Sequence, residues 1–363
     1  MKRILFVSTM ESYPWGGSEE LWSRAALHLV RGGMPVSASV KRWPNEPAQI
    51  AELRAAGIDV RFREASGNEG RPDDFWQNIA SENLGLVVLS DGANRIDLSL
   101  AKICEQFKIP LAVVFQAANE CNWPPDSIAT ESVRLLESAA GVFCVSQSNL
   151  AVTRTQYATK LPRARVIRNP CKVPYDVNPS WPSTEKGFSL ACVGRLEPAS
   201  KGQDILFDVL AMEKWRKRDL RVTLYGDGCC TEGVHRLRVM HSLESVEFGG
   251  FCNNIEELWS RHHALVLPSR IEGLALAVVE ALLCARPCIT TDVAGNAELL
   301  QDNVGGFVAK FPRADALDEA MERAWQRRHE WRQIGEAGAA YVRKVIPPNA
   351  AAVFADVLMS LSR

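Results

Sequence analysis

No apolar run in this 363-residue chain reaches the roughly 18 residues that a membrane-spanning helix requires. Net charge is nearly absent as well. At about −1, the formal balance removes any global electrostatic case for binding nucleic acid. The ten cysteines contain no Cys-x-x-Cys pair and no Cys/His metal spacing. Cys144, Cys192, Cys284 and Cys288 fall in apolar segments, where a free thiol behaves as a small hydrophobe. The adjacent Cys229 and Cys230 would close only a strained ring. Reduced thiols and a cytoplasmic setting are therefore expected. A Gly-x-Gly-x-x-Gly fingerprint after the first strand is missing, which disfavours a dinucleotide oxidoreductase. No Asp-x-Asp pair stands ready to chelate a metal under a diphosphate. There is no internal repeat and no low-complexity tract. The opening Met1-Lys2-Arg3 and Ile4–Val7 resemble a signal peptide only briefly. Ser8-Thr9 and Glu11 interrupt the run, so a buried first strand is the expectation.

What the chain does hold is an alternation of strand and helix patterns, in a length that favours two domains. In the first half, strands are expected at 4–8, 36–40, 58–62, 86–89, 111–115 and 142–145. Ser18 is expected to cap a helix whose first turn carries Glu19 and Glu20. The apolar face of that helix is Leu21, Trp22, Ala25, Ala26 and Leu29, and Gly32-Gly33 ends it. Residues 170–187 are rich in proline and lack periodicity, as a linker does. The alternation resumes with strands at 189–193, 222–225, 246–248, 264–267, 288–291 and 306–308. Helices are expected near 203–213, 234–242, 256–261, 274–284 and 316–328. This is the pattern of two doubly wound parallel α/β domains, 1–169 and 188–345, with a cleft between their strand-end loops. A last helix at 346–363 follows Pro347-Pro348.

Two segments carry chemistry. In Gly194-Arg195-Leu196-Glu197-Pro198-Ala199-Ser200-Lys201-Gly202, a glycine turn follows a buried strand and brings two cations to the start of a helix. Free N–H groups and the helix dipole add to their charge, which suits a diphosphate. In Glu272-Gly273-Leu274-Ala275-Leu276-Ala277-Val278-Val279-Glu280, two carboxylates lie eight residues apart. Along a helix that is a rise of about 12 Å. The distance is too long for a shared metal but comparable to the span from a sugar to the ribose of a nucleotide sugar. Each carboxylate can accept hydrogen bonds from a hydroxyl pair.

Together these segments resemble the retaining, GT-B-fold family 4 glycosyltransferases (glycosyl transferases group 1). Gly226-Asp227-Gly228, Gly249-Gly250-Phe251 and Thr291–Asn296 with Glu298 agree. So do Gly16-Gly17, Val145–Ser148 and Val166–Asn169. The resemblance implies two Rossmann-like domains facing a central cleft. It also implies a nucleoside diphosphate sugar donor (UDP-, GDP- or similar) and a sugar, glycan or lipid-linked acceptor held by the N-terminal domain. Arg195 and Lys201 would grip the pyrophosphate, Glu280 the ribose and Glu272 the donor sugar. Main-chain N–H groups of Gly273, Leu274 and Ala275 would hold sugar and phosphate, and Phe251 would lie beside the base. Gly16 and Gly17 would let the N-terminal loop approach phosphate or acceptor. The last helix would cross back onto the N-terminal domain. No metal or other cofactor is required on this reading, since Arg195 and Lys201 supply the positive charge that Gly194 lets approach.

The chain departs from the family pattern twice. Glu-Gly-Phe-Gly becomes Glu272-Gly273-Leu274-Ala275, and Gln116 stands where many members carry a histidine. His28 is the one histidine of the first half and lies inside a helix, so Gln116 is expected to hold a sugar by hydrogen bonds. Trp15 is the aromatic best placed for sugar stacking. Asp73-Asp74 reads as a helix cap, and His262-His263 as structural. Lys41, Arg42, Arg54, Arg61, Arg63 and Arg71 are scattered rather than a compact run. A solvated surface is favoured over a peripheral contact with the inner membrane face. Two other readings use the same donor site: a nucleotide-sugar epimerase or hydrolase, and a catalytically silent nucleotide-sugar-binding partner.

Overall fold

The computed structural model describes residues 1–64 and 82–362; Arg71, Asp73, Asp74 and Trp76 lie outside the described residues. The chain forms two compact units, Met1–Pro170 with Asn349–Arg363, and Cys171–Pro348.

In the first unit, seven parallel strands are ordered β3-β2-β1-β4-β5-β6-β7. They are β1 (Arg3–Ser8), β2 (Val36–Lys41), β3 (Asp59–Arg63), β4 (Leu84–Asp91), β5 (Leu111–Phe115), β6 (Gly141–Cys144) and β7 (Ala164–Val166). Strand alternation sends neighbouring side chains to opposite faces. Leu5, Val7, Val87, Leu89, Val113 and Phe115 build the core on one face. Ile4, Phe6, Leu86, Val88, Ala112 and Val114 build it on the other. Such two-sided burial is why these strands read as continuous apolar runs. β7 was not among the expected strands; three residues are too few to show a period.

The first helix is Gly17–Arg31, capped by Gly16 rather than Ser18. The Ser18 hydroxyl instead donates to the Glu19 carboxylate. Gly33, at φ +82°, ends the helix in the left-handed region that favours glycine. The terminal helix Ala350–Leu361 packs in this unit, with Phe354 and Leu358 in the same core as Leu21 and Trp22. The wider stretch 328–361 is apolar enough to suggest a span, but its helices break around Pro347-Pro348. The final helix of 12 residues rises only about 18 Å, short of a bilayer core of roughly 30 Å.

The second unit repeats the topology. β8 (Phe188–Val193), β9 (Leu220–Tyr225), β10 (Val246–Gly250), β11 (Ala264–Leu267), β12 (Cys288–Thr291) and β13 (Gly306–Ala309) are ordered β10-β9-β8-β11-β12-β13. Residues 171–187 are bound into this unit. Val173 and Val177 are buried, and the Tyr175 hydroxyl donates to the carbonyls of Arg343 and Ile346. The helix Trp331–Val345 had not been expected. Gly335 and Gly338 lower its intrinsic propensity. Their reason is tertiary, since a Cβ on Gly335 would lie 2.0 Å from the Ala285 carbonyl oxygen. In each unit the connections reverse direction beside the first strand, at β1/β4 and β8/β11. Ligands of open α/β sheets bind at the carboxyl ends of strands at such switch points.

Candidate active site

Both expected motifs of the second unit meet at its β8/β11 switch point. After β8 the chain forms a short helical turn, Pro198–Lys201, and a longer helix, Gln203–Ala211. Gly202 joins them at φ +69°, where a Cβ would sit 2.0 Å from the Pro268 carbonyl oxygen. Lys201 therefore ends the short turn and stands immediately before the cap of the helix Gln203–Ala211. Gly194 lies against the aliphatic part of the Lys201 side chain.

The loop after β11 is latched onto that turn. Arg270 grips Asp204 with two hydrogen bonds, 2.6 and 2.7 Å, and donates to the Pro198 carbonyl at 2.8 Å. The N–H groups of Arg270 and Ile271 both donate to the Ser200 carbonyl. Arg270 stands two residues before the Glu272–Glu280 segment and carries no sequence pattern of its own. The latch fixes Glu272, which is buried. Its Oε1 accepts from Lys201 Nζ at 2.6 Å and from the Ser269 hydroxyl at 2.7 Å. The sequence had assigned Lys201 and Glu272 to different parts of the donor; the fold makes them one ion pair. Arg195 pairs with Glu197 at 3.2 Å, and Glu197 also accepts from Ser200.

The helix after Glu272 spans Leu276–Leu283, so only the last part of the Glu272–Glu280 stretch is helical. The rise of about 12 Å does not hold along the whole of it. Glu280 is buried and accepts the Lys172 N–H at 3.2 Å. Leu274 and Ala275 are buried, and the Gly273 carbonyl accepts the Gly295 N–H. The Phe251 ring is 75% exposed, free to meet a planar ligand. Gly226, at φ +132°, brings its loop to within 2.2 Å (for an added Cβ) of the Gly194 carbonyl oxygen. Among the described residues, no group of three His, Cys, Asp or Glu side chains gathers for a metal.

The first unit carries polar groups that sequence reading missed. Glu19 is buried at the start of its helix and accepts from the Ser8 hydroxyl at 2.8 Å and from Ser18. Burial raises its pKa to about 7, against the opposing pull of those two hydroxyls. Asp91, the last residue of β4, accepts from the Thr9 hydroxyl at 2.6 Å and the Ala93 N–H at 2.9 Å. Burial raises its pKa too. The signal available in the sequence was position alone, at the end of one strand and the start of one helix. Gln116 is buried, with its amide nitrogen toward the Ser18 carbonyl and its oxygen accepting from Asn169. Its hydrogen bonds serve the fold. Gly16 caps the first helix and Gly17 begins it. Trp15 leans on Trp22, with ring centroids 5.8 Å apart, and donates to Glu20 at 3.1 Å.

The scattered bases among the described residues are engaged. Arg42 pairs with Glu64, Arg54 with Glu46, and Arg61 with Asp59 and Glu82. Lys41 donates to the Glu11 carbonyl. Arg63 is a correction: it is buried, with hydrogen bonds to Ser39 and to the Ser8 carbonyl.

His262 is held between Ser189 (2.6 Å) and Tyr225 (2.9 Å), and burial, helped by His263, lowers its pKa to about 4. A group depressed below its unfolded value of 6.5 stabilises the fold above that pH and loses its contribution as pH falls toward 4. The full effect is roughly 3 kcal/mol. Glu19 acts in the opposite sense, since its raised pKa adds stability as pH falls from about 7 to 4.5. Thermal melts from pH 7 to 4 should show His262→Gln flattening the acid loss and Glu19→Gln removing the acid gain.

Residues 187–327 match the family model described as Glycosyl transferases group 1. The putative glycosyltransferase EpsD of Bacillus subtilis is 29% identical over 140 residues, covering 38% of this chain and 37% of that protein. The O-antigen chain mannosyltransferase C of Escherichia coli is 31% identical over 141 residues, covering 38% and 37%. The matched stretch thus spans under half the length of these curated relatives. The crystal structure of HepE from Anabaena, in complex with UDP and glucose, superposes with a TM-score of 0.76 at 18% identity. It covers 99% of this chain and 100% of its own. The fold is that of the GT-B glycosyltransferases, with two Rossmann-like units.

Proposed function

We propose that this chain, whose residues 187–327 match the model of the glycosyl transferases group 1, transfers a sugar from a nucleoside diphosphate sugar to an acceptor hydroxyl. The observation that carries this reading is the Lys201–Glu272 pair, latched by Arg270 at the β8/β11 switch point. An ammonium held at a fixed point by a buried carboxylate is preorganised for charge that grows on a departing diphosphate. Arg195 adds a second cation in the same loop. Glu280 faces the ribose, Phe251 the base, and the N–H groups of Gly273–Ala275 the phosphate and sugar. A UDP-sugar is the first donor to test, because the HepE structure of the same fold was solved with UDP. The acceptor is a sugar, glycan or lipid-linked sugar bound by the first unit. The leaving phosphate takes the acceptor proton on the face it departs from, so the anomeric configuration is retained. We further propose a cytoplasmic protein; the ion pairing of Arg42, Arg54 and Arg61 favours a solvated surface over peripheral membrane contact.

The experiment is calorimetric titration with UDP- and GDP-hexoses, followed by product analysis with and without acceptor sugars. Transfer product formed only with acceptor supports a transferase; donor epimerised or hydrolysed without acceptor replaces it. Turnover is expected to persist in excess chelator, since Lys201 and Arg195 supply the positive charge. Complete loss that magnesium or manganese restores would overturn the metal-independent mechanism.

A further inference from the structure

The two units share one topology, and in the second the candidate chemistry gathers at the β8/β11 switch point. The same position in the first unit is the gap between the carboxyl ends of β1 and β4. What stands there is Thr9, the residue after β1, and Asp91, the last residue of β4. We propose that Asp91, oriented by Thr9, receives the hydroxyl of a sugar acceptor. The β1/β4 switch point is then the acceptor-hydroxyl site. This rests on the transferase reading above and adds to it the acceptor side, which neither sequence motif addressed.

The geometry supports a binding role over a purely structural one. Ser90 and Ser8, one step back along the paired strands, are buried, whereas Asp91 and Thr9 keep part of their surface open. The Gln116 N–H donates to the Asp91 main-chain carbonyl, tying the end of β4 to that of β5. The carboxylate is thereby aimed by rigid strand ends. Thr9 donates its hydroxyl proton to Oδ2, the Ala93 N–H donates to Oδ1, and the Arg95 N–H donates to the carboxylate as well. A carboxylate offers about four lone-pair sites, so acceptor capacity remains on Asp91, and the Thr9 oxygen keeps its own. Two neighbouring acceptors suit a ligand that donates from hydroxyls, such as a sugar diol, and repel a phosphate. No cation forms an ion pair with Asp91 among the described residues (the ion pairs of this unit lie elsewhere). A carboxylate that is largely buried without a cation costs stability, and groups kept at such a cost concentrate where function requires them. Glu19 provides the contrast: it is 3% exposed and closed over by Ser8 and Ser18, so it stays with the fold. Asp91 acts here by accepting a hydrogen bond, with no proton transfer assigned to it.

The test uses the full chain with UDP- and GDP-hexose donors. Acceptors are octyl glycosides of glucose, galactose, mannose and N-acetylglucosamine. Asp91→Asn should lower kcat/KM for the glycoside by about 10- to 100-fold, mostly through KM, as expected when a ligand hydroxyl loses a charged partner. Donor affinity by calorimetry and slow donor hydrolysis in water should be unchanged. The thermal midpoint should hold or rise, because the variant removes a buried charge. Thr9→Val should show a smaller loss of the same kind, and Thr9→Ser should restore it. An Asp91→Asn protein with acceptor kinetics within threefold of wild type overturns the assignment. So does one that loses donor affinity in parallel. Wild-type protein that binds donor yet glycosylates none of the glycosides overturns the acceptor site and leaves the donor reading standing. Failure to bind any nucleotide overturns the donor reading itself.

Discussion

Replacing Lys201 by Ala should slow sugar transfer by about 10²–10³-fold, the loss seen when one preorganised donor to a developing charge is removed. Lys201 is held at 2.6 Å by Glu272, which is itself oriented by Ser269. Glu272→Ala should therefore cost turnover on a similar scale, although the carboxylate need not touch the phosphate. Its removal leaves the ammonium charge in place but unheld, so affinity for the bare nucleoside diphosphate should stay the same or tighten. Lys201→Ala should weaken that affinity. The decisive measurement is the double variant. If the two side chains act as one unit, its turnover should match that of Lys201→Ala alone, with a coupling of about 1–3 kcal/mol. Losses that simply multiply would show that Glu272 binds donor sugar independently of Lys201. Because Lys201 ends a single helical turn and is not part of the core, the thermal midpoint should change little in Lys201→Ala. It should fall modestly in Glu272→Ala, where a mostly buried cation loses its partner.

The largest effect on stability is expected from Arg286, six residues beyond the second motif. Its side chain is 2% exposed, and burial lowers its pKa to about 10. The guanidinium donates to the carbonyls of Trp259, His262, Cys284, Pro179 and Ser180, and its plane faces the Trp181 ring at 4.8 Å. It thereby ties the strand at β11, the end of the helix Leu276–Leu283 and the chain entering the second unit. Arg286→Ala would leave several buried carbonyls without donors, at roughly 3–5 kcal/mol in sum. For a unit of this size that is a fall in thermal midpoint of about 10 °C. Arg286→Lys should recover little, since a single ammonium cannot reach carbonyls spread around a planar fork. Donor affinity of the protein that remains folded should be normal. A melt within 2 °C of wild type, read by differential scanning calorimetry, would remove this role.

The sequence by itself determined the two-unit α/β architecture, because strands buried on both faces must be written as apolar runs. β5, β11 and β12 were legible to the residue for that reason. It also carried the two motifs that meet at Lys201 and Glu272, since they follow strands that the topology makes neighbours. What it left undecided was pairing. Whether Lys201 meets a phosphate alone or through Glu272 depends on Gly202 and on the Arg270–Asp204 latch, neither of which has a periodic signal. Tertiary structure alone moved Arg63 from the surface to the interior, and paired Gln116 with Asn169. It alone revealed Asp91 and Thr9, which lie 82 residues apart and 2.6 Å from each other. Patterns in sequence report which face of an element is apolar. The partner that a polar side chain finds at the end of a strand is chosen by the strand order, and that becomes visible only when the sheet has closed.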